Sequence, residues 1–137
     1  MYSTKYAVSI HLLSLIAFKK GESITSDDIA KSVNTNPALV RRLMSDLKKA
    51  GLIRTQTKIG VIGFMKSPEE ISLLEIFQAV ETRQDLFAIH SDTNTKCPIG
   101  AKIGCVLEHM NGKIQSSFEE ELGSLYLSNI LDGLYNR

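Results

Sequence analysis

Long apolar runs are missing from this chain, and cysteine is nearly so. Its 137 residues hold two cysteines, eight positions apart, too few for the disulfide framework of a small secreted domain. The longest uncharged stretch near the N-terminus, Tyr6 to Phe18, has 13 residues and includes His11 and two serines. That is shorter than a membrane span, and it lacks a signal-peptide cleavage pattern. A cytoplasmic protein without a membrane partner is expected. Catalytic signatures are lacking too: there is no Gly-rich phosphate loop, nucleophile elbow or H-E-x-x-H pattern. The Glu119–Glu121 triplet lies on an expected helix, where adjacent carboxylates point different ways and a solvated face explains them. An enzyme is therefore the weaker hypothesis. Internal repeats and low-complexity stretches are also absent.

The net charge of +1 conceals a division. Residues 1–66 carry 11 Lys+Arg against 4 Asp+Glu, a balance of +7, while residues 67–137 carry 5 against 11, a balance of −6. Such polarity points to a cationic surface for nucleic acid in the first half and a different task for the second. Counterion release would make such binding strongly salt-dependent.

Residues 25–51 hold the most informative pattern, T-S-D-D-I-A-K-S-V-N-T-N-P-A-L-V-R-R-L-M-S-D-L-K-K-A-G. Thr25 and Asp28 have the form of a capping box, which satisfies orphan amides at a helix start. Ile29, Ala30 and Val33 give a short apolar stripe. Asn34-Thr35-Asn36 breaks that helix, and Asn36 with Pro37 starts the next as N-cap and first-turn residue. Gly51 is the stop. Two short helices across such a break form a helix-turn-helix, whose second helix enters a DNA major groove. On that helix Val40, Leu43, Met44 and Leu47 share a buried stripe. The opposite face carries Ala38, Arg42, Ser45 and Lys49, with Arg41 and Lys48 on its flank. Small residues allow close approach to the groove, and arginine bonds guanine or phosphate. The competing explanation is a solvated helix whose charges serve only solubility.

The flanking segments suit a winged helix. Residues 4–19 are expected to form an amphipathic helix with Ala7, Ile10, Leu13, Leu15, Ile16 and Phe18 on its apolar face. Leu52 to Thr57 alternates like a strand, Lys58 to Gly63 holds two glycines, and Phe64 to Lys66 resumes an extended run. A hairpin after a recognition helix is a wing, and Lys58 is its best-placed cation. A helix is expected over Leu73 to Glu81 and a short strand over Leu86 to Ile89. From Pro98 to Leu122 the apolar spacing stays helical through Gly112, which predicts one helix of roughly 37 Å. Ile103, Val106, Leu107, Met110, Ile114 and Phe118 on that helix are the expected dimer contacts, because the stripe exceeds what so small a core can cover. The alternative breaks the helix at Gly112 and folds both pieces onto one core. A last helix, Leu127 to Leu134, is expected to pack on the first. The expected fold is mainly α with a small β wing. A winged helix-turn-helix domain over residues 1–82 precedes a sensor loop and long dimerisation helix over 83–137.

With these motifs in hand, the chain resembles the bacterial winged-helix regulators that include IscR, NsrR and CymR, and its YwnA-like members look nearest. The resemblance rests on V-N-T-N-P-A-L-V-R-R-L, I-S-L-L-E-I-F-Q-A-V-E and N-T-K-C-P-I-G. It implies homodimers that bind palindromic operators on double-stranded DNA, usually as repressors, pairing through the long helix. Carried over, operator contacts fall on Thr35, Asn36, Pro37, Arg41, Arg42 and Ser45, with Lys58 on the wing. Relatives mostly place Arg-Gly in the wing, where this chain has Lys58-Ile59-Gly60.

The signal is less legible. Cluster-binding relatives place three cysteines in the loop and at the start of the long helix, whereas this chain keeps Cys97 and Cys105, with His90 near the position of the first. Some also recruit a first-helix carboxylate, which Tyr6 to Ser9 does not supply. No cofactor is the leading expectation. An iron–sulfur cluster on His90, Cys97 and Cys105, sensing nitric oxide or cluster status, stays an alternative. Cys105 and His109 would make half a zinc site. A thiol switch needs less: Cys97 before Pro98 would sit at a helix N-terminus that stabilises thiolate, with Lys96 and Lys102 nearby. Cys105 would resolve it only if the loop moved, and otherwise it is a small buried residue. A winged helix that docks on protein and leaves DNA alone is the remaining alternative.

Overall fold

A computed structural model describes residues 3–136. Six helices and a two-stranded sheet follow in the order α1 (Lys5–Lys19), α2 (Ser26–Val33), α3 (Pro37–Lys49), β1 (Ile53–Gln56), β2 (Gly60–Phe64), α4 (Leu73–Val80), α5 (Ile103–Ser124) and α6 (Leu127–Tyr135). Local chemistry sets most of these boundaries. Thr25 accepts from Asp28 N–H at 3.1 Å, and Asp28 Oδ2 accepts the Thr25 N–H at 3.4 Å, which opens α2. Ser72 and Glu75 repeat the device at the start of α4. α3 ends in a Schellman motif: Gly51, at φ 78°, donates to Lys48 O, and Leu52 N–H donates to Leu47 O at 3.1 Å.

One core unites the elements. Leu12, Leu13 and Ile16 of α1 pack with Ile29, Val40, Leu43, Leu47, Leu52, Ile53, Val61, Ile71 and Ile76. Leu127 and Leu131 of α6 belong to the same cluster, so the acidic second half returns to the core of the first. The Ser72–Tyr126 bridge pins that return, with Leu73 N–H on Leu125 O and Leu127 N–H on Ile71 O, both at 2.8 Å. As expected, α6 packs on α1, yet the expected apolar face of α1 is only half used: Phe18 stays 64% exposed. Among the described residues no helix is long and apolar enough to cross a membrane.

Three expected boundaries move. The wing's second strand begins at Gly60, inside the stretch read as turn, and the tip shrinks to Thr57–Ile59, closed by Ile59 N–H on Gln56 O at 3.0 Å. Gly60 permits this because its Cα passes so near Ile24 that an added Cβ would lie 2.3 Å from the Ile24 carbonyl oxygen. Leu86 to Ile89 is not a strand. Gln115 of α5 accepts the Leu86 N–H at 2.9 Å and donates to Gln84 O at 2.9 Å. The long helix runs unbroken through Gly112 but starts at Ile103, not Pro98. Residues 98–102 form turns instead, drawn in where Gly100 lies against Asn94: an added Cβ there would be 2.2 Å from Asn94 O.

Candidate nucleic-acid interface

The recognition helix is built as its pattern demands. Asn36 caps it, its Oδ1 accepting Ala38 N–H at 2.7 Å, and Pro37 occupies the first turn. Asn34, in the left-handed conformation, turns the chain between α2 and α3. Val40, Leu43, Met44 and Leu47 are buried, while Ala38, Arg41, Arg42, Ser45, Lys48 and Lys49 are exposed. Thr35 and Pro37 are half-buried at the turn, and Asn36 is exposed. Thr35 and Pro37 line a shallow depression with Lys31 and Asn34.

The wing is brought beside this helix by a long-range contact. Ile24 and Val61 exchange backbone bonds at 2.9 and 3.0 Å, which ties β2 to the segment just before the α2 cap. The result is an open groove of about 540 Å³ between α3 and the wing. Arg41, Ser45 and Lys48 form one wall, and Gln56, Thr57 and Lys58 form the other. Lys58 sits at the tip with φ 71°, a conformation uncommon for a residue with a side chain. One carboxylate, Asp27, also lines the groove, in the first turn of α2 where the helix dipole favours negative charge. Among the described residues the only ion pair is Lys66–Glu75, at 2.7 Å and away from this groove. The cations of α3 and the wing tip therefore stand outside any ion pair and outnumber the one carboxylate beside them.

The structure thus joins Arg41, Ser45 and Lys58 but separates them from Arg42, which lies outside the groove. Lys48 and Thr57 were not among the expected contacts. Lys48 could have been found, since it stands seven residues from Arg41 and on the same side of the helix. Thr57 carried no signal of its own.

The other expected sites lie far from this groove in sequence. Cys97 and Cys105 are free and exposed. Cys97 does not start α5, yet amides still reach it: the N–H groups of Gly100 and Ile99 hold its thiol below the ordinary range. Asn94 O accepts the Cys97 N–H at 3.2 Å, and Thr93 Oγ1 donates to Gly100 O at 2.7 Å, so the loop is closed by its own bonds. Cys105 is exposed on α5, which corrects its reading as a buried apolar residue. No group of three or more His, Cys, Asp or Glu that could hold a metal occurs among the described residues.

None of the 22 residues of α5 is buried. Val106, Leu107, Met110 and Ile114 are 40–51% exposed, and Ile103 is half-buried. Phe118 has a partner within the chain: its ring meets Phe77 edge-on with centroids 5.5 Å apart, and Phe77 meets Tyr6 in the same way at 6.0 Å. A second open apolar surface runs between α1 and α6, lined by Ile10, Leu15, Phe18, Ile130 and Leu134, with His11 at its side.

Comparison with known proteins finds similar chains among transcriptional regulators. The Rrf2 family model, described as iron-dependent transcriptional regulator, matches residues 2–133. The provisionally assigned HTH-type transcriptional regulator YwnA of Bacillus subtilis (strain 168) is 41% identical over 135 residues, 98% of this chain and 100% of that protein. A crystal structure of a provisionally assigned DNA-binding protein superposes with a TM-score of 0.74 and 37% identity, covering 93% of this chain and 98% of its own. The global cysteine regulator CymR of B. subtilis shares the fold at a TM-score of 0.70 and 19% identity, with 96% of each chain covered.

Proposed function

Because the chain belongs to the Rrf2 family of transcriptional regulators, which are not enzymes, we propose that two copies of it bind a palindromic operator as a repressor. Each copy lays α3 in the major groove and sets the wing beside it. The observation that carries this reading is the cationic groove between α3 and the wing, whose Arg41, Lys48 and Lys58 make no ion pair. Cations without carboxylate partners, on a rigid helix with small residues beside them, suit a polyanion of fixed geometry.

The separation of the two arginines assigns them different roles. Arg42, with Ala38, faces directly away from the buried stripe and reads base edges. Arg41, Lys48 and Lys58 flank it and hold phosphates. Asn36 spends its side-chain oxygen on the helix cap, so its contribution is an amide donor to the backbone, alongside Thr35.

The pairing surface is α5. Four large apolar side chains left 40–51% exposed are unfavourable in water by about 25 cal/mol per Å², and a two-fold copy covers them twice over. The open surface between α1 and α6 gives the partner's helix an apolar seat. Cys97, exposed and amide-stabilised as thiolate, is the group through which oxidation or alkylation would alter the position of α5 and hence the spacing of the two α3 helices. The chain acts in the cytoplasm, where its DNA partner lies.

Gel shifts with the chain's own promoter region test this reading. Arg41→Ala should weaken binding to all sequences and lower the salt slope by about 1, whereas Arg42→Ala should cost about 1–3 kcal/mol and relax preference at one base pair per half-site. Undiminished binding by the double variant would overturn α3 as the reading helix, and no shift by the unaltered chain would support docking on protein instead.

A further inference from the structure

We infer that this chain regulates without a resident iron–sulfur cluster, although its family is described as iron-dependent. The donor set carries the inference. A cluster is ordinarily held by four protein ligands, thiolates for the most part, with histidine replacing some of them. The chain has two cysteines and three histidines, and no three of its His, Cys, Asp or Glu side chains gather to hold a metal among the described residues. The three residues outside that description are Met1, Tyr2 and Arg137, none of which is a ligand of this kind.

The loop bearing Cys97 is closed by bonds of its own. Thr93, Asn94, Cys97 and Gly100 bond to one another, Gly100 is packed against Asn94, and Lys96 N–H is taken by Asn94 Oδ1 at 3.0 Å. A second copy's first helix adds no carboxylate to such a site. Helix α1 contains no Asp or Glu, and its one histidine, His11, is joined to Ser32 Oγ at 3.0 Å. The one four-thiol set available is Cys97 and Cys105 from both copies of a pair, so the test must count iron per pair as well as per chain.

The experiment purifies the full chain anaerobically from iron-replete cells. It measures the absorption spectrum, iron and acid-labile sulfide, and then operator affinity before and after chelation and after addition of ferrous iron. Expected are a colourless protein, iron below about 0.1 per chain, and affinities that agree within about twofold across all conditions. Brown protein with matching iron and sulfide, whether two irons per pair or more per chain, overturns the inference; so does an affinity that moves tenfold with chelation or added iron. The affinity arm rests on the operator-binding reading. If no DNA is shifted in any condition that reading fails, while the iron and sulfide analysis still decides this one.

Discussion

Helices α3 and α5 meet solvent in opposite ways. The 13 residues of α3 bury four apolar side chains and turn cations outward, whereas the 22 residues of α5 bury none and turn Val106, Leu107, Met110 and Ile114 outward. Exposed arginine is well hydrated and waits for a partner without penalty, so α3 is complete in the single chain and suits a polar ligand. Exposed Met and Ile are not well hydrated, and a stripe of them calls for another protein surface. The exposed chemistry of a helix, more than its periodicity, tells what covers it.

The sharpest way to break this contrast is to charge the apolar stripe. Met110→Glu/Ile114→Glu should leave sedimentation showing single chains and lower operator affinity at least about 1,000-fold through loss of the second half-site. The circular dichroism spectrum should be unchanged, because neither residue belongs to the core. A variant that still sediments as a pair would remove α5 as the pairing surface. Next in size is the cost of truncation. Leu47→Ala on α3 should lower unfolding free energy in urea by about 3 kcal/mol, as for a fully buried leucine. Leu107→Ala, made in the charged single-chain background, should change it by under about 0.5 kcal/mol. Equal costs would mean that α5 is covered within one chain.

A smaller difference separates the two thiols at the head of α5. Cys97 should react with iodoacetamide about tenfold faster than Cys105 at pH 7.5, since the Gly100 and Ile99 amides favour its thiolate. Mass spectrometry of the two peptides measures this, and a faster Cys105 would refute it. Smallest is the pH effect at Glu75, which caps α4. Partial burial pulls its carboxyl upward, but the bonds from Lys66 and Ser72 outweigh that and hold it below its ordinary range. A folded pKa below the unfolded one means that the contribution is present at neutral pH and lost as pH falls through the folded value. Glu75→Gln should therefore cost about 0.5–1 kcal/mol at pH 7, and its deficit should shrink below about pH 4.5. A deficit constant down to pH 3 would assign the effect to packing.

Much of the fold was legible because it is set locally. The Thr25–Asp28 box, the Asn36-Pro37 start and the Gly51 stop each act within a few residues, and they delimit α2 and α3 as read. The buried stripe of α3 followed from spacing alone. The start of α5 was misplaced because Pro98 is compatible with a first helical turn, while the packing of Gly100 against Asn94 that keeps residues 98–102 in turns leaves no mark in periodicity. The second wing strand starts at Gly60 and not at Phe64, where the sequence puts it because its glycines read as a turn; one of them is required by an approach to Ile24, 36 positions away. Leu86 to Ile89 has strand-like residues, but its first N–H is bonded to Gln115 and no residue of it joins the sheet.

By itself the sequence determined where α2 and α3 begin and end and which side of α3 is apolar, since capping and helical period act over one or two turns. Which cations stand together was decided only by tertiary structure. Arg41 and Lys48 share a groove with Lys58, and Arg42 does not, because the Ile24–Val61 bridge brings the wing to one flank of α3. That bridge joins residues far apart in the chain, and its position depends on the packing of the whole core, which no local pattern encodes.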